Sequence, residues 1–309
     1  MRIDCIDEGW MHVYGNPTIP KKLMPDKQWT ILEILRWTTD FFRQKGVDSP
    51  RLTAEVLLAH VLEQERIYLY VHFDQPLAYE ERERYKVLIR RCANGEPTQY
   101  LTGVQEFWSL TFEVTPAVLV PRPETEHLVE AALTCAVSEA QPKILDIGTG
   151  CGVIAICLKH ELPGAEVFAG DISEDALNVA MQNAERLLND GNSISFRQGD
   201  LFTPFSGMRF DLLISNPPYI STRQYEALER KIRDYEPACA LHAGEEGLDI
   251  YRRLIANAAD YLKPEGCVLL EIGQGQKDAV VELFDAERFS IRKIINDYAG
   301  IERVIIAGL

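Results

Sequence analysis

Residues 143–160 read as an apolar strand, a glycine turn and a helix, and this succession limits the fold more than any other stretch. Lys143-Ile144-Leu145-Asp146-Ile147 is a short apolar run, Gly148-Thr149-Gly150-Cys151-Gly152 follows, and Val153 to His160 continues as a helix. Further strands are expected at Ala165 to Ala169, Ile194 to Gln198, Phe210 to Ile214 and Gly266 to Ile272, with helices at Leu248 to Leu262 and Lys277 to Leu283. Two last strands are expected near Ser290 to Ile295 and Arg303 to Ala307. Such alternation implies an α/β fold built on a parallel, doubly wound sheet.

In open α/β sheets, ligands bind outside the carboxyl ends of the strands, so the residues at those ends carry the functional reading. A glycine loop that opens a helix can turn backbone N–H groups and the helix dipole toward an anion. Here the pattern is G-x-G-x-G, because Val153 stands where a dinucleotide fingerprint has its last glycine. That spacing, with Asp146 ahead of it, favours S-adenosylmethionine over NAD. Asp171 follows the second strand, about 20 residues past the loop, where a carboxylate can accept both hydroxyls of a ribose. Asp200 follows the third strand and can accept an adenine amino group, although a surface turn explains it as well.

The fourth strand leads into Ser215-Asn216-Pro217-Pro218-Tyr219. Two prolines stiffen the turn and remove two donors, which leaves carbonyl acceptors without competing N–H groups. Asn216 adds a side-chain oxygen and Tyr219 an aromatic face. Together they suit a planar –NH2 group: two protons accepted by Asn216 and a proline-loop carbonyl, with the ring packed on the plane. The same residues would also make an ordinary proline turn with a capping asparagine.

The rest of the chain divides as follows. Residues 1–25 carry Gly9, Gly15, Pro17, Pro20 and Pro25 without periodicity and read as a loose tail; Met24 stands just before a good helix start. Residues 26–98 read as a small helical, substrate-recognition domain. One helix spans Asp26 to Lys45, with Trp29, Leu32, Leu35, Thr39 and Phe42 on its stripe. A second is capped at Ser49-Pro50 and turns Leu52, Val56, Ala59 and Val61-Leu62 inward, and a third spans Ala78 to Ala93. Residues 99–122 read as a linking β-hairpin, and Pro123 opens a helix to about Val137 within a domain of residues 123–309.

Seven scattered cysteines with no C-x-x-C pair argue against a disulfide framework and against a zinc site, so no metal is expected. No apolar run approaches membrane-spanning length and no secretory signal is visible, so a cytoplasmic location is expected and no membrane partner. The formal net charge of −15 would repel duplex nucleic acid and suits a basic protein partner, so no direct nucleic-acid contact is expected. The cluster Arg82, Arg84, Lys86, Arg90 and Arg91 is interleaved with Glu80, Glu81 and Glu83, as on a solvated helix face.

The glycine loop, the second-strand acid and Asn-Pro-Pro-Tyr together resemble the amino-N methyltransferases. The Gly103 to Phe112 hairpin, Val120-Pro121-Arg122-Pro123-Glu124-Thr125-Glu126, Tyr235-Glu236-Pro237 and Gly247-Leu248-Asp249 with Tyr251-Arg252 narrow this. With the helical domain, they resemble the release-factor glutamine methyltransferases over about residues 27–309. The resemblance implies a Rossmann-like class I methyltransferase sheet with a small N-terminal helical domain and a linking β-hairpin. It implies S-adenosylmethionine as cofactor, and N5-methylation of the glutamine in the Gly-Gly-Gln loop of peptide-chain release factors. Residue by residue, Gly148, Thr149, Gly150, Cys151, Gly152 and Asp171 match cofactor-binding positions. Asn216 also borders the cofactor, and Asn216, Pro217, Pro218 and Tyr219 match the catalytic pocket for the substrate amide. At the adenine edge Asp200 matches, while Leu201 stands where the family often has an aromatic residue, so adenine packing is weaker or comes from elsewhere. A related group methylates a ribosomal protein; the Pro-Glu-Thr-Glu continuation after Pro121-Arg122 favours the release factor.

Other functions use similar parts. Methylation of an exocyclic amine on RNA or DNA needs the same pocket, but the net charge counts against it. A non-catalytic cofactor scaffold would not need the intact Asn216 to Tyr219, and a dehydrogenase would need a different glycine spacing.

Overall fold

The computed structural model describes residues 28–136, 141–189 and 193–309. The expected loose tail, the helix start at Asp26 and the helix end at Val137 fall outside these residues. The chain divides into two compact units, one up to Thr102 and one from Gly103 onward. Residues 99–122 are therefore shared, with 99–102 in the first unit and the hairpin in the second.

Among the described residues the first unit holds five helices: α1 (Ile31–Lys45), α2 (Pro50–Leu62), α3 (Arg66–Val71), α4 (Tyr79–Ala93) and α5 (Thr98–Thr102). Helix α1 begins later than the apolar stripe suggests because Thr30 and Glu33 form a reciprocal cap. The Thr30 hydroxyl accepts from the Glu33 N–H at 3.3 Å, and the Glu33 carboxylate accepts from the Thr30 N–H at 3.1 Å. In α2 Ala59 and Val61 are buried as expected. Leu57 and Leu58 are buried beside them, whereas Leu52, also expected inside, is 45% exposed. Ser49 stands at the cap position but in the left-handed region at φ 45°, and its hydroxyl makes no capping bond. The short helices α3 and α5 had no distinct signal, being six and five residues long.

The second unit opens with a hairpin of β1 (Val104–Phe107) and β2 (Leu110–Glu113). Its turn residues Trp108 and Ser109 both take positive φ. The Glu126 carboxylate helps hold that turn, accepting the Trp108 N–H at 2.9 Å. The main domain then runs α6 (Glu126–Ala136), β3 (Lys143–Ile147), α7 (Val153–Glu161), β4 (Glu166–Asp171), α8 (Glu174–Leu187), β5 (Ile194–Gln198) and β6 (Phe210–Ser215). It continues with α9 (Thr222–Glu226), α10 (Arg230–Arg233), α11 (Asp249–Tyr261), β7 (Leu262–Glu271), α12 (Lys277–Ala286), β8 (Ser290–Asn296) and β9 (Glu302–Gly308). A turn of 3-10 helix at Pro123–Thr125 precedes α6.

The strands form one seven-stranded sheet in the order β5-β4-β3-β6-β7-β9-β8. Five strands, β3 to β7, are parallel as expected. The expectation of an all-parallel sheet fails at one edge, where β9 inserts antiparallel between β7 and β8. Only five residues separate β8 from β9, enough for a hairpin and too few for a crossover helix. Alternate strand residues serve the two faces: Leu145, Ile147, Leu213, Val268 and Leu270 join Tyr251, Leu254 and Ile255 of α11 and Val280 and Phe284 of α12 in one core. Helices α6, α7 and α8 pack against one another in sequence order. Strand order reverses between β3 and β6, so the carboxyl ends of β3, β4 and β6 border one crevice.

Candidate active site

The glycine loop is wired inward. Gly148 and Thr149 N–H groups donate to the Gly170 carbonyl at 2.8 and 3.0 Å, Gly150 N–H to the Asp171 carboxylate at 2.9 Å, and Gly152 N–H to the Thr149 carbonyl at 2.8 Å. The expected cradle of free N–H groups for an anion is therefore absent at these four positions. Gly148, Gly150 and Gly152 all have φ between 56° and 89°, which L side chains rarely adopt. A Cβ on Gly148 or Gly150 would meet open space, while one on Gly152 would strike Ile156 and Ala180. The first two glycines keep the crevice open; the third lets α7 approach α8.

Asp146 lies beneath this loop, fully buried. One of its oxygens accepts from the Thr149 hydroxyl at 2.6 Å and the Ala155 N–H at 3.3 Å; the other has no partner. Burial pushes its carboxyl up to about 7, with the Thr149 and Ala155 hydrogen bonds opposing that. Asn183, buried on α8, ties the loop to the hairpin: its Nδ2 donates to the carbonyls of Cys151 and Glu113, each at 3.0 Å, and its Oδ1 accepts from the Glu113 N–H at 2.7 Å. Nothing in the sequence marked Asn183, one of several polar residues within its helix.

A cavity of about 330 Å³ opens beside the loop. Of the expected site residues, Gly148, Gly150, Asp171, Asp200, Leu201, Asn216 and Pro218 are on its wall. Thr149, Cys151, Gly152, Pro217 and Tyr219 are not, and the first two are buried behind the loop. Asp171 accepts from Gly150 N–H with one oxygen and from Ser173 N–H at 3.0 Å with the other, which leaves lone pairs on both. Asp200 pairs with Arg253 of α11 at 2.5 Å, a partner the sequence did not suggest. Leu201 adopts φ 50° and shares the wall with Ile172 and Ile250. Ile172 is 60% exposed on that wall.

At the other side of the cavity β6 ends in the proline turn. Ser215 is buried and its hydroxyl donates to the Ile147 carbonyl at 2.7 Å, which ties the ends of β6 and β3 together. Asn216 Nδ2 donates to the Thr125 hydroxyl at 3.1 Å. With its nitrogen so engaged, the Asn216 oxygen is the acceptor it can offer a ligand. Tyr219 leans on the core beside Gly273, and burial pushes its phenol up to about 12. Gln276 clamps the turn: its Nε2 donates to the Tyr219 carbonyl at 2.9 Å and the Gly247 carbonyl at 3.3 Å, while its Oε1 accepts from Gly273 N–H at 3.1 Å. The buried Glu236 carboxylate pairs with Arg122 at 2.6 Å and accepts the Val120 N–H at 3.3 Å. That pair joins two segments, around Leu119 and Pro237, that both reach the cavity. Among the described residues no group of three or more His, Cys, Asp or Glu side chains converges as a metal site.

The chain matches the family model described as PrmC N-terminal domain over residues 33–103 and that described as methyltransferase small domain over residues 125–235. It is 44% identical over 277 residues to the release factor glutamine methyltransferase of Geobacter sulfurreducens, covering 90% of this chain and 96% of that protein. It is 39% identical over 280 residues to the protein of the same name from Salmonella typhimurium, covering 88% and 98%. Among solved structures, the hMettl16 catalytic domain in complex with MAT2A 3'UTR hairpin 6 aligns with a TM-score of 0.52 at 16% identity, over 73% of this chain and 82% of that one. This last likeness concerns the fold alone.

Proposed function

This chain belongs to the release factor glutamine methyltransferase family, and from that premise we propose that it methylates the side-chain amide N5 of the glutamine in the Gly-Gly-Gln loop of peptide-chain release factors. S-adenosylmethionine, when bound, supplies an electrophilic methyl group. The cavity residues suit that cofactor. Asp171 keeps lone pairs for two ribose hydroxyls, and Asp200 lies where an adenine amino group can donate to it. Ile172, Leu201 and Ile250 offer an apolar slot for the base, which answers the missing aromatic residue at Leu201. The inward wiring of the glycine loop argues against a dinucleotide, whose pyrophosphate would need those N–H groups.

The observation that carries the amide reading is Asn216 with its nitrogen committed to Thr125. Its oxygen and the carbonyl of Pro217 are then the two acceptors for a substrate –NH2. An amide nitrogen is a weak nucleophile because its lone pair is conjugated. As it attacks, its protons become more positive, and acceptors already aimed at them stabilise that change without reorganising. Pro217 and Pro218 keep competing donors out of the turn, and Gln276 keeps the turn in place. The protein partner is a release factor; the −15 net charge supports a basic protein surface rather than nucleic acid, and the site of action is the cytoplasm.

The test is transfer of labelled methyl from S-adenosylmethionine to a release factor, beside its Gln→Glu variant, a ribosomal-protein substrate and ribosomal RNA. Label confined to the glutamine of the first supports the proposal; label on RNA alone overturns it.

A further inference from the structure

Glu271 is the last residue of β7 and stands next to the proline turn. The parallel register pairs Ser215 with Leu270, so the residues that follow each, Asn216 and Glu271, come out of the sheet side by side. Glu271 is 2% exposed, and one of its carboxyl oxygens has no hydrogen-bond partner. The side chains of Thr125 and Asn216 stand beside it and favour its charged form. It forms no ion pair with any described residue; Arg303 of β9, whose charge favours the carboxylate, is paired with Asp297 at 2.9 Å. Burying a carboxylate without a cation is unfavourable, and a neutral side chain of the same shape would fill the space at lower cost.

The chemistry of the neighbours explains what an acid does here. An asparagine amide can turn over with little change in shape, exchanging oxygen for nitrogen. Thr125 does not decide between the two, since a hydroxyl can donate to the oxygen or accept from the nitrogen. A carboxylate only accepts. A carboxylate that takes the Thr125 proton would leave that hydroxyl as an acceptor, with itself a second acceptor facing the same end of Asn216. Both neighbours would then require the amide nitrogen.

We propose that Glu271 is the positioning residue of the Asn216 pocket, its buried carboxylate fixing the Asn216 oxygen outward, directly and through Thr125, to accept from the substrate –NH2. The proposal rests on the amide reading of that pocket given above. The charged and titratable groups around Glu271 are Arg303, which favours the carboxylate, and Glu124, Tyr219 and Tyr251, which disfavour it once charged. Burial, the larger influence, pushes its carboxyl up to about 7, so the lock tightens as pH rises through neutrality.

Two measurements test it. In single-turnover methylation of a release factor, Glu271→Gln lowers the rate about 30-fold, because the new amide can donate to Thr125 and reverse the relay. Thr125→Val, which breaks the relay and leaves the acid, lowers it about 10-fold. S-adenosylmethionine affinity stays within two-fold in both. The parent rate rises with pH through about 7, and the rate of Glu271→Gln does not. Independently of any substrate, the side-chain NH2 resonances of Asn216, identified by their loss in Asn216→Asp, shift with pH through the same range. That shift disappears in Glu271→Gln. Resonances indifferent to pH in the parent overturn the proposal whether or not methyl transfer occurs. A folded Glu271→Gln with a near-parental rate overturns it while leaving the methyltransferase reading intact. A parent that transfers no methyl to a release factor overturns that reading, and the resonances still decide the orientation of Asn216.

Discussion

Replacing Asp171 by alanine separates the cofactor site from the fold that carries it. The carboxylate holds two protein donors, Gly150 N–H at 2.9 Å and Ser173 N–H at 3.0 Å, and is assigned two ribose hydroxyls on its remaining lone pairs. Hydrogen bonds to a charged acceptor contribute roughly 1.5–3 kcal/mol in net terms. Loss of the ribose contacts should therefore raise the dissociation constant of S-adenosylmethionine about 10- to 150-fold for each hydroxyl released, at 1.4 kcal/mol per decade. The two backbone donors are only partly shielded, so water replaces the carboxylate for both and the folded state loses roughly 1–2 kcal/mol. Titration calorimetry reads the first quantity and denaturant unfolding without cofactor the second. Asp171→Asn adds a discriminating case. Its amide can accept from one of the two N–H groups but must turn its own NH2 toward the other, so its stability falls at least as far as that of alanine. Its remaining oxygen still accepts one hydroxyl, so its affinity loss is smaller. Affinity within two-fold of the parent in both variants, beside a clear loss of stability, would mean that Asp171 organises the loop without touching the ribose.

Asn216→Ala should lower methyl transfer roughly 10²–10³-fold with little change in cofactor affinity, the cost of one acceptor that matters most as charge develops. Single-turnover kinetics checks this, and a near-parental rate would refute the pocket. A Gln→Glu release factor should react at least about 10⁴-fold more slowly, because it sets oxygen against the pocket's acceptors. Stability should fall as pH rises from about 4 to 7: Asp146 and Glu271 keep their protons up to about 7 in the folded state, while unfolded carboxylates release theirs near 4, so unfolding releases protons in that window. Glu271→Gln should therefore exceed the parent in stability by up to roughly 3 kcal/mol at pH 8, an advantage that vanishes by pH 4 in a pH series of denaturant titrations. Release-factor binding should weaken as salt rises, given the −15 charge; an association rate indifferent to ionic strength would count against steering.

The central sheet was legible because its signals are local. Ile144, Leu145, Leu212, Leu213 and Leu269 sit in short apolar runs bounded by glycine or acid, and a parallel strand buried on both faces needs nothing more. Asn216, Asp171 and the glycine loop were legible because each ends such a run. Helix phase in the first unit was less so. Helix α2 carries apolar residues on most of its circumference, so Leu52 and Leu57 compete for the inside, and packing against α1 and α4 settles it. The antiparallel β9 depends on the shortness of one connection rather than on strand composition.

What the sequence hid most was the wiring that gives single polar residues a direction. Asn183, Gln276 and Arg253 act on partners 32 to 70 residues away, at Cys151 and Glu113, at Tyr219 and at Asp200. No spacing rule links such pairs, because they meet only after strands β3, β4 and β6 have aligned their ends. The same holds for the two acids under the site. In the chain, Asp146 and Glu271 are a charge inside an apolar strand and a charge at the end of one. In the fold both are dry, both leave one oxygen without a partner, and each stands beside a threonine next to a ligand-facing turn; Asp146 accepts from Thr149 at 2.6 Å. Thr149 holds the glycine loop and Thr125 holds Asn216. A threonine hydroxyl has one proton; once a buried carboxylate accepts it, the hydroxyl has only lone pairs left for its other neighbours. Asp146 thus makes the ambivalent Thr149 hydroxyl an acceptor, and the proposed role of Glu271 toward Thr125 is the same, each at a place where the direction of a hydrogen bond decides what can be bound. This gives a physical reason for an acid at the end of an apolar strand, where stability alone would favour a neutral side chain.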